Sequence, residues 1–310
     1  MSDQACATGS TGVQKTMSPE EKRGHDLMKQ AEQALNKFSW FGLANISKYE
    51  DAIALYLKGA NSFKMAQAWQ EAGNAFVKVA DLETKAQTSR FEASSHYVQA
   101  GDMYRRIDPA LAISHYRHGI SMMCDDGRFG TAAKHSETIA DLYEADHNIE
   151  EAIKYYQQAA DYYNGDNSAS RANKNLEKVA LHSATLKKYK EASELFEGLG
   201  KSSLESNLLK FNAKKHFLHA GFCVLARGDM VAAKNCLDRY SDLDYTFRDS
   251  REGKLFEALT EAIEEYDGDK FADVLFSYDR VSKLTPWETA ILLGIKNSIQ
   301  QEADDVPDLQ

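Results

Sequence analysis

Apolar positions along this chain fall at helical spacing wherever they can be followed. Ile149, Ala152, Ile153, Tyr156, Ala159, Ala160 and Tyr163 lie three or four apart and make one stripe of an α-helix. Phe129, Ala132, Ala133, Ser136, Ala140 and Tyr143 make a similar stripe on the helix before it. The pattern then recurs in one frame. Ala52, Ala112, Ala152 and Ala192 superpose, and each is followed four positions later by Tyr56, Tyr116, Tyr156 or Phe196. Ala233 with Leu237 continues the series one residue late. A second series, Ala100, Ala140, Ala180 and Ala220, recurs every forty residues and precedes its partners by twelve or thirteen.

Small alanines let two backbones approach, and an aromatic ring fills the gap to the next pair. A single hairpin cannot bury such a stripe alone, so several must stack. The expected fold is all-α: a tetratricopeptide-like solenoid of antiparallel helix hairpins, wound as a right-handed superhelix, with a C-terminal helical bundle. Its period exceeds the usual value of about thirty-four residues, so the helices should be longer. "EADHN", "NGDNS" and "RGDM" are turn signals, and no stretch shows sustained period-two alternation with strand-like flanks.

The repeat fades after about Ser241. The following segment reads as three helices broken near "YDGD" and "LTPW", with Pro286 at a first helical position after Thr285 as cap. Trp287, Ile291, Ile295 and Ile299 step by four along the last of them. The expected organisation is a lead-in over 1–17, a solenoid over 18–241, a bundle over 242–301 and an acidic tail over 302–310.

One stretch breaks the pattern. "ALNKFSWFGLANISK", residues 34–48, crowds Phe38, Trp40, Phe41 and Leu43 around Gly42. These four cannot share one stripe, and glycine disfavours a continuous helix. A loop near 37–48 that exposes this much apolar surface suits a target such as a bilayer interface. Burying each side chain fully is worth roughly 1.5–3 kcal/mol. Lys37 and Lys48 flank the group and favour anionic headgroups. A core role for Trp40 is the plainer alternative.

Composition narrows the classes. The chain has 310 residues, 43% hydrophobic, 27% charged, with only four prolines, which suits long helices. A formal charge of -10 argues against general nucleic-acid binding. No apolar run reaches the roughly 20 residues of a membrane span, and the N-terminal segment lacks a secretory core. Cys6, Cys124, Cys223 and Cys236 form no CxxC pair and fit a reducing, cytoplasmic setting.

No phosphate-binding loop, dinucleotide fingerprint or nucleophile elbow is present, so no enzymatic activity and no cofactor are expected. His115 with His118, and His216 with His219, have a spacing that can hold a metal, but no completing ligands accompany them. Glu261, Glu264 and Glu265, with Asp267, Asp269 and the acidic tail, concentrate negative charge at the C-terminal end. That is either an acidic docking surface or a solvated face. Lys134 and Lys174 stand one period apart beside core alanines and should project from equivalent flanks, with Arg128 and Lys178 widening the ladder. An elongated acidic partner suits such a ladder; unrelated surface lysines are the alternative.

Taken in order, several stretches resemble the soluble NSF attachment protein (SNAP) family of membrane-fusion adaptors. "KFSWFGLANISKYEDAIALY", "GRFGTAAKHSETIADLYE", "EEAIKYYQQAADYYNGDNS", "ANKNLEKVA", "FRDSREGKLFEAL" and "YDRVSKLTPWETAILLGIKNSI" carry the likeness, from about residue 20 onward. The longer lead-in, the "SWF" loop and the "VPDLQ" tail favour the gamma form. The resemblance implies SNARE-bundle binding on a concave face by Arg128, Lys134, Lys174 and Lys178. It implies recruitment of the ATPase NSF by Asp229, Glu261, Glu264 and Glu265, with Leu309 stimulating that ATPase. It also implies membrane attachment through Phe38, Trp40, Phe41 and Leu43. Such a protein would be cytoplasmic and peripheral on membranes, a monomer in solution with several copies on one SNARE bundle. A generic tetratricopeptide-like peptide scaffold is the competing expectation.

Overall fold

The computed structural model describes residues 17–36, 43–87 and 89–305, the side chains of 43–46 and 302–305 excepted. Contact density divides the chain into two compact units, one running to Arg128 and one beginning at Phe129. Among the described residues there are fourteen α-helices and no strand.

The first unit holds α1 (Pro19–Leu35), α2 (Leu43–Met65), α3 (Trp69–Ala86), α4 (Arg90–Tyr104) and α5 (Pro109–Asp125), each packed antiparallel on the next. The second holds α6 (Phe129–Ala145), α7 (Ile149–Gly165), α8 (Ala169–Thr185), α9 (Tyr189–Leu204), α10 (Lys210–Leu225) and α11 (Met230–Leu243), then α12 (Arg251–Glu264), α13 (Gly268–Asp279) and α14 (Pro286–Asp305). The three late helices lie where the two breaks were expected. The expected change at 241/242 does not coincide with the division in contact density. Phe217 of α10 stacks on Tyr240 of α11 at 4.7 Å, and Phe247 meets both rings edge-on, so one core continues through that point.

Both alanine series are fully buried: Ala52, Ala112, Ala152, Ala192 and Ala233 in one, and Ala100, Ala140, Ala180 and Ala220 in the other. Their aromatic partners, Tyr56, Tyr116, Tyr156 and Phe196, are buried too. The contact is close. A β-carbon at Gly101 would lie 2.9 Å from the Tyr116 ring, whose hydroxyl donates to Asp102 Oδ1 at 2.7 Å. A methyl group more on α4 would push α5 away.

The turns show a shorter period than the alanines do. Helices α5 to α8 have seventeen residues each and are joined by three-residue turns, so the backbone repeats every twenty. Each turn has a residue in the left-handed region: Gly127, His147, Asn167 and Lys187, at φ of 71°, 59°, 56° and 60°. The next residue's N–H reaches back five residues, as in Arg128 to Met123 O at 2.8 Å and Lys188 to Ser183 O at 2.9 Å, which closes the helix by a Schellman motif. Only one of these four residues is glycine, which hides the shorter period from the sequence. The turn after α10, residues 226–229, has one residue more. That is why Ala233 arrives one position late while remaining fully buried.

Helix starts follow side-chain capping. Ser18 and Glu21 form a capping box before α1, and Asp108, Asn148, Asp229, Ser250 and Asp267 cap α5, α7, α11, α12 and α13. The loop expected near 37–48 is corrected at its end: α2 begins at Leu43, so 43–48 are helical. The polar residues of this segment do not interrupt the helix. Ser47 and Lys48 lie off the stripe that Tyr49, Ala52, Ile53 and Tyr56 form, where polar residues belong.

A side chain with a β-carbon is strained at the left-handed turn position by about 1 kcal/mol. Lys187→Gly should therefore raise the stability of the second unit by up to about 1 kcal/mol, and Lys187→Val should lower it. Denaturant unfolding followed by far-UV circular dichroism measures both, and equal midpoints for the two variants would contradict the argument.

Candidate docking surfaces

Lys134 sits on α6 and Lys174 on α8, each eleven residues before the helix's final residue. Both are exposed, and neither makes an ion pair among the described residues. Their equivalence follows from the repeat. Ala132 and Ala133 on one helix, and Ala172 and Asn175 on the other, turn inward and leave the lysine beside them facing out. A third residue shares this register and went unnoticed in the sequence. Lys214 on α10 also lies eleven residues before the helix end and is half-buried. Stepping the forty-residue period once more from Lys174 would have found it.

Arg128 and Lys178 are differently placed. In the first unit, the Arg128 guanidinium lies 4.0 Å over the Phe91 ring and donates to Ser94 Oγ at 3.0 Å. In the second, Lys178 Nζ donates to both oxygens of Glu144, at 3.0 and 2.9 Å, and lies over the Tyr156 ring at 5.5 Å. Glu144 also accepts from the Tyr156 hydroxyl at 2.5 Å. Desolvation pushes the Glu144 carboxyl up, but the donors Tyr156 and Lys178 outweigh it and hold the pKa below its ordinary value. These two cations stitch helices together, and less of their charge is free for a partner.

The acidic candidates lie around α11 and α12. Asp229 Oδ1 accepts from Ala232 N at 2.8 Å and so caps α11. Glu264 pairs with Lys234 at 2.7 Å, while Glu265 and Glu261 approach Lys270 at 2.9 and 3.7 Å. Glu261 and Glu265 remain mostly exposed. Beside them opens a groove of about 330 Å³ whose lining includes Asp238, Glu257, Glu261 and Glu264 with Lys234 and Arg248. Exposed ion pairs of this kind are worth about 0–1 kcal/mol, so a partner's cations can displace Lys234 and Lys270 at little cost.

Phe38, Trp40, Phe41 and Leu309 lie outside the described residues, and Leu43 is described only as the first residue of α2. No helix among the described residues is long and apolar enough to cross a membrane. The histidine pairs have other surroundings. His115 stacks on Tyr104 at 5.1 Å and His118 on Tyr97 at 5.5 Å. No cluster of three or more His, Cys, Asp or Glu among the described residues is arranged to hold a metal.

The family model "Soluble NSF attachment protein, SNAP" matches residues 22–300. The chain belongs to the soluble NSF attachment protein family. It is 39% identical over 293 residues to the alpha-soluble NSF attachment protein of Vitis vinifera, covering 94% of this chain and 100% of that one. It is 40% identical over 284 residues to the alpha-soluble NSF attachment protein of Mus musculus, covering 90% and 96%. With the probable vesicular-fusion protein sec17 homolog of Schizosaccharomyces pombe it shares 34% identity over 275 residues, covering 88% and 94%. The gamma likeness expected from the lead-in and the "SWF" loop gains no support from these three.

In this SNAP-family chain, one buried contact fixes the last helix, from which the tail continues. Glu288, in the first turn of α14, is held at both oxygens. Oε1 lies 2.7 Å from His219 Nε2 of α10, and Oε2 accepts from Thr285 N at 2.6 Å. Thr285 Oγ1 in turn accepts from Glu288 N at 3.3 Å, which completes a capping box. Trp287 packs edge-on against the His219 ring at 4.9 Å. Burial raises the Glu288 pKa, but the hydrogen bonds from His219 and Thr285 outweigh it and bring the carboxyl down to about 2.

A carboxylate depressed in the folded state adds stability that is complete above its unfolded pKa and is lost as pH falls through its folded one. Glu288→Gln should cost about 3 kcal/mol at pH 7, and its deficit against the native chain should shrink between about pH 4.5 and pH 2. Denaturant midpoints across that range test this. A deficit constant with pH would rule out the charged clasp.

Proposed function

We propose that this protein is a non-enzymatic adaptor for SNARE disassembly in vesicle fusion. Its basic ladder grips a SNARE bundle, and its acidic C-terminal end recruits the ATPase NSF. The observation that carries the reading is the match to the SNAP family over residues 22–300 together with Lys134 and Lys174, exposed, unpaired and one period apart. An acidic bundle longer than one helix spacing can meet both charges at once, and Lys214 adds a third.

Lys178 in the second unit and Arg128 in the first contact the SNARE bundle in a lesser role, since each is already engaged within its own unit. Asp229, Glu261, Glu264 and Glu265 form the motor-facing surface, where Lys234 and Lys270 act as removable counter-charges. Leu309 stimulates the ATPase. Phe38, Trp40, Phe41 and Leu43 insert into the cytosolic leaflet, which makes the protein peripheral on membranes. Several copies surround one bundle, so that weak single contacts add through avidity. Charge complementarity sets encounter rate and orientation more than affinity.

Lys134→Glu combined with Lys174→Glu should abolish SNARE pull-down with helicity unchanged, while Lys178→Ala should weaken it far less. In a reconstituted reaction with NSF and ATP, Leu309→Ala should slow disassembly more than it weakens SNARE binding. Retained pull-down in the double lysine variant would reject the ladder, and equal losses for Leu309→Ala would reject the separation of roles. Serine at Phe38, Trp40, Phe41 and Leu43 should leave disassembly of soluble SNARE complexes unchanged and reduce it severalfold on liposomes. The same rate in both settings would remove the membrane role.

A further inference from the structure

Cations around α11 to α13 are mostly neutralised within the chain. Lys234 pairs with Glu264, Arg239 with Glu197, Arg248 with Asp238 and Glu257, Lys270 with Glu265, and Lys283 with Asp279. Arg251 and Lys254, on the first turn of α12, differ. Both are exposed and neither has a carboxylate within ion-pair distance among the described residues; Arg251 donates to Ser282 Oγ at 3.1 Å. They rim a groove of about 430 Å³ between α12 and α13, walled by Leu255, Val274, Tyr278 and Val281. Val281 is 69% exposed. Asp273 is the one carboxylate among the groove's described lining residues, which leaves the rim net positive. An apolar trough with free cations at its edge fits a segment that carries aliphatic side chains between carboxylates.

The chain has such a segment. Residues 304–310, "DDVPDLQ", place Val306 and Leu309 among Asp304, Asp305 and Asp308. A molecule's own copy of it is out of reach. Helix α14 runs back along α13, so that a β-carbon at Gly268 would lie 3.8 Å from Gln300 Cγ. The groove's apolar wall on this side runs from Val274 to Val281, about 9 to 20 Å further along at 1.5 Å per residue. The last turn of α14, Gln300 to Asp305, leads about 7 Å the other way, and Leu309, four residues beyond Asp305, can extend at most about 14 Å from it. We propose that this groove receives residues 304–310 of a second copy, with the carboxylates on Arg251 and Lys254 and the two aliphatic side chains in the trough. The inference relies on the adaptor reading only for bringing copies close together. There, a docked neighbour shelters Leu309 until the motor engages it.

The probe is a fluorescent peptide of residues 302–310, titrated with the full chain at low ionic strength without SNARE proteins or NSF. Saturable binding is expected. It should weaken at least tenfold in Arg251→Glu with Lys254→Glu, in Val281→Asp, and with a peptide carrying serine in place of Val306 and Leu309. Circular dichroism checks that each variant is folded. Val281 is exposed enough to supply the reading if the double charge reversal is not folded. No saturable binding, or binding that survives either groove variant, overturns the proposal. Equal binding of the serine peptide reduces it to charge alone and overturns it too. Since neither SNARE nor NSF is present, failure here leaves the adaptor reading standing.

Discussion

Everything in this molecule depends on how closely two helices can approach. Alanine at each crossing removes all but one methyl group from the interface, and the neighbouring tyrosine or phenylalanine covers the space that remains. Because interiors are packed at near-crystalline density, a contact this tight has one favourable separation and one rotation. Rotation decides which charges reach solvent. A helix held in one rotational setting shows the same side to solvent in every repeat, which is how Lys134 and Lys174 come to be equivalent without touching each other.

Charge is distributed by a second rule. Cations that lie over aromatic rings or beside half-buried carboxylates, such as Arg128 and Lys178, have become part of the scaffold. Those on the far side of a helix from its alanines have not. A count of basic residues would treat the four alike, whereas the packing separates them into two fasteners and two free charges. On the acidic side the free and neutralised charges are mixed. Lys234 and Lys270 shade Glu264 and Glu265 without burying them, so the surface is screened until a stronger cation arrives.

Much of the fold could be read from the chain, and the reasons are specific. Alanine series mark crossings because no other chiral residue is as small, so their period reported the hairpins directly. Pro286 after Thr285 announced α14 because proline's fixed φ suits only that helical position. What stayed hidden had no distinctive residue. His147, Asn167 and Lys187 take the conformation that glycine would advertise, so the twenty-residue turn was invisible. The His219–Glu288 clasp joins residues 69 apart, and nothing in the local pattern of either predicts the other. Ser47 and Lys48 mislead because their polarity suggests a loop, whereas they lie on the outer side of α2. For the candidate docking residues, the equivalent register of Lys134 and Lys174 is legible from the period, whereas whether a charge is free depends on contacts between helices.

The longer turn at 226–229 has a consequence for length variation. One extra residue there delayed Ala233 without moving it out of the core, since the turn took up the difference before α11 began. The same residue added inside a helix would rotate all that follows by about 100°, carrying alanines outward and lysines in. Insertions, labels or epitope tags are therefore compatible with these turns and incompatible with the rods between them. Natural relatives that differ in length should place their gaps at the bends.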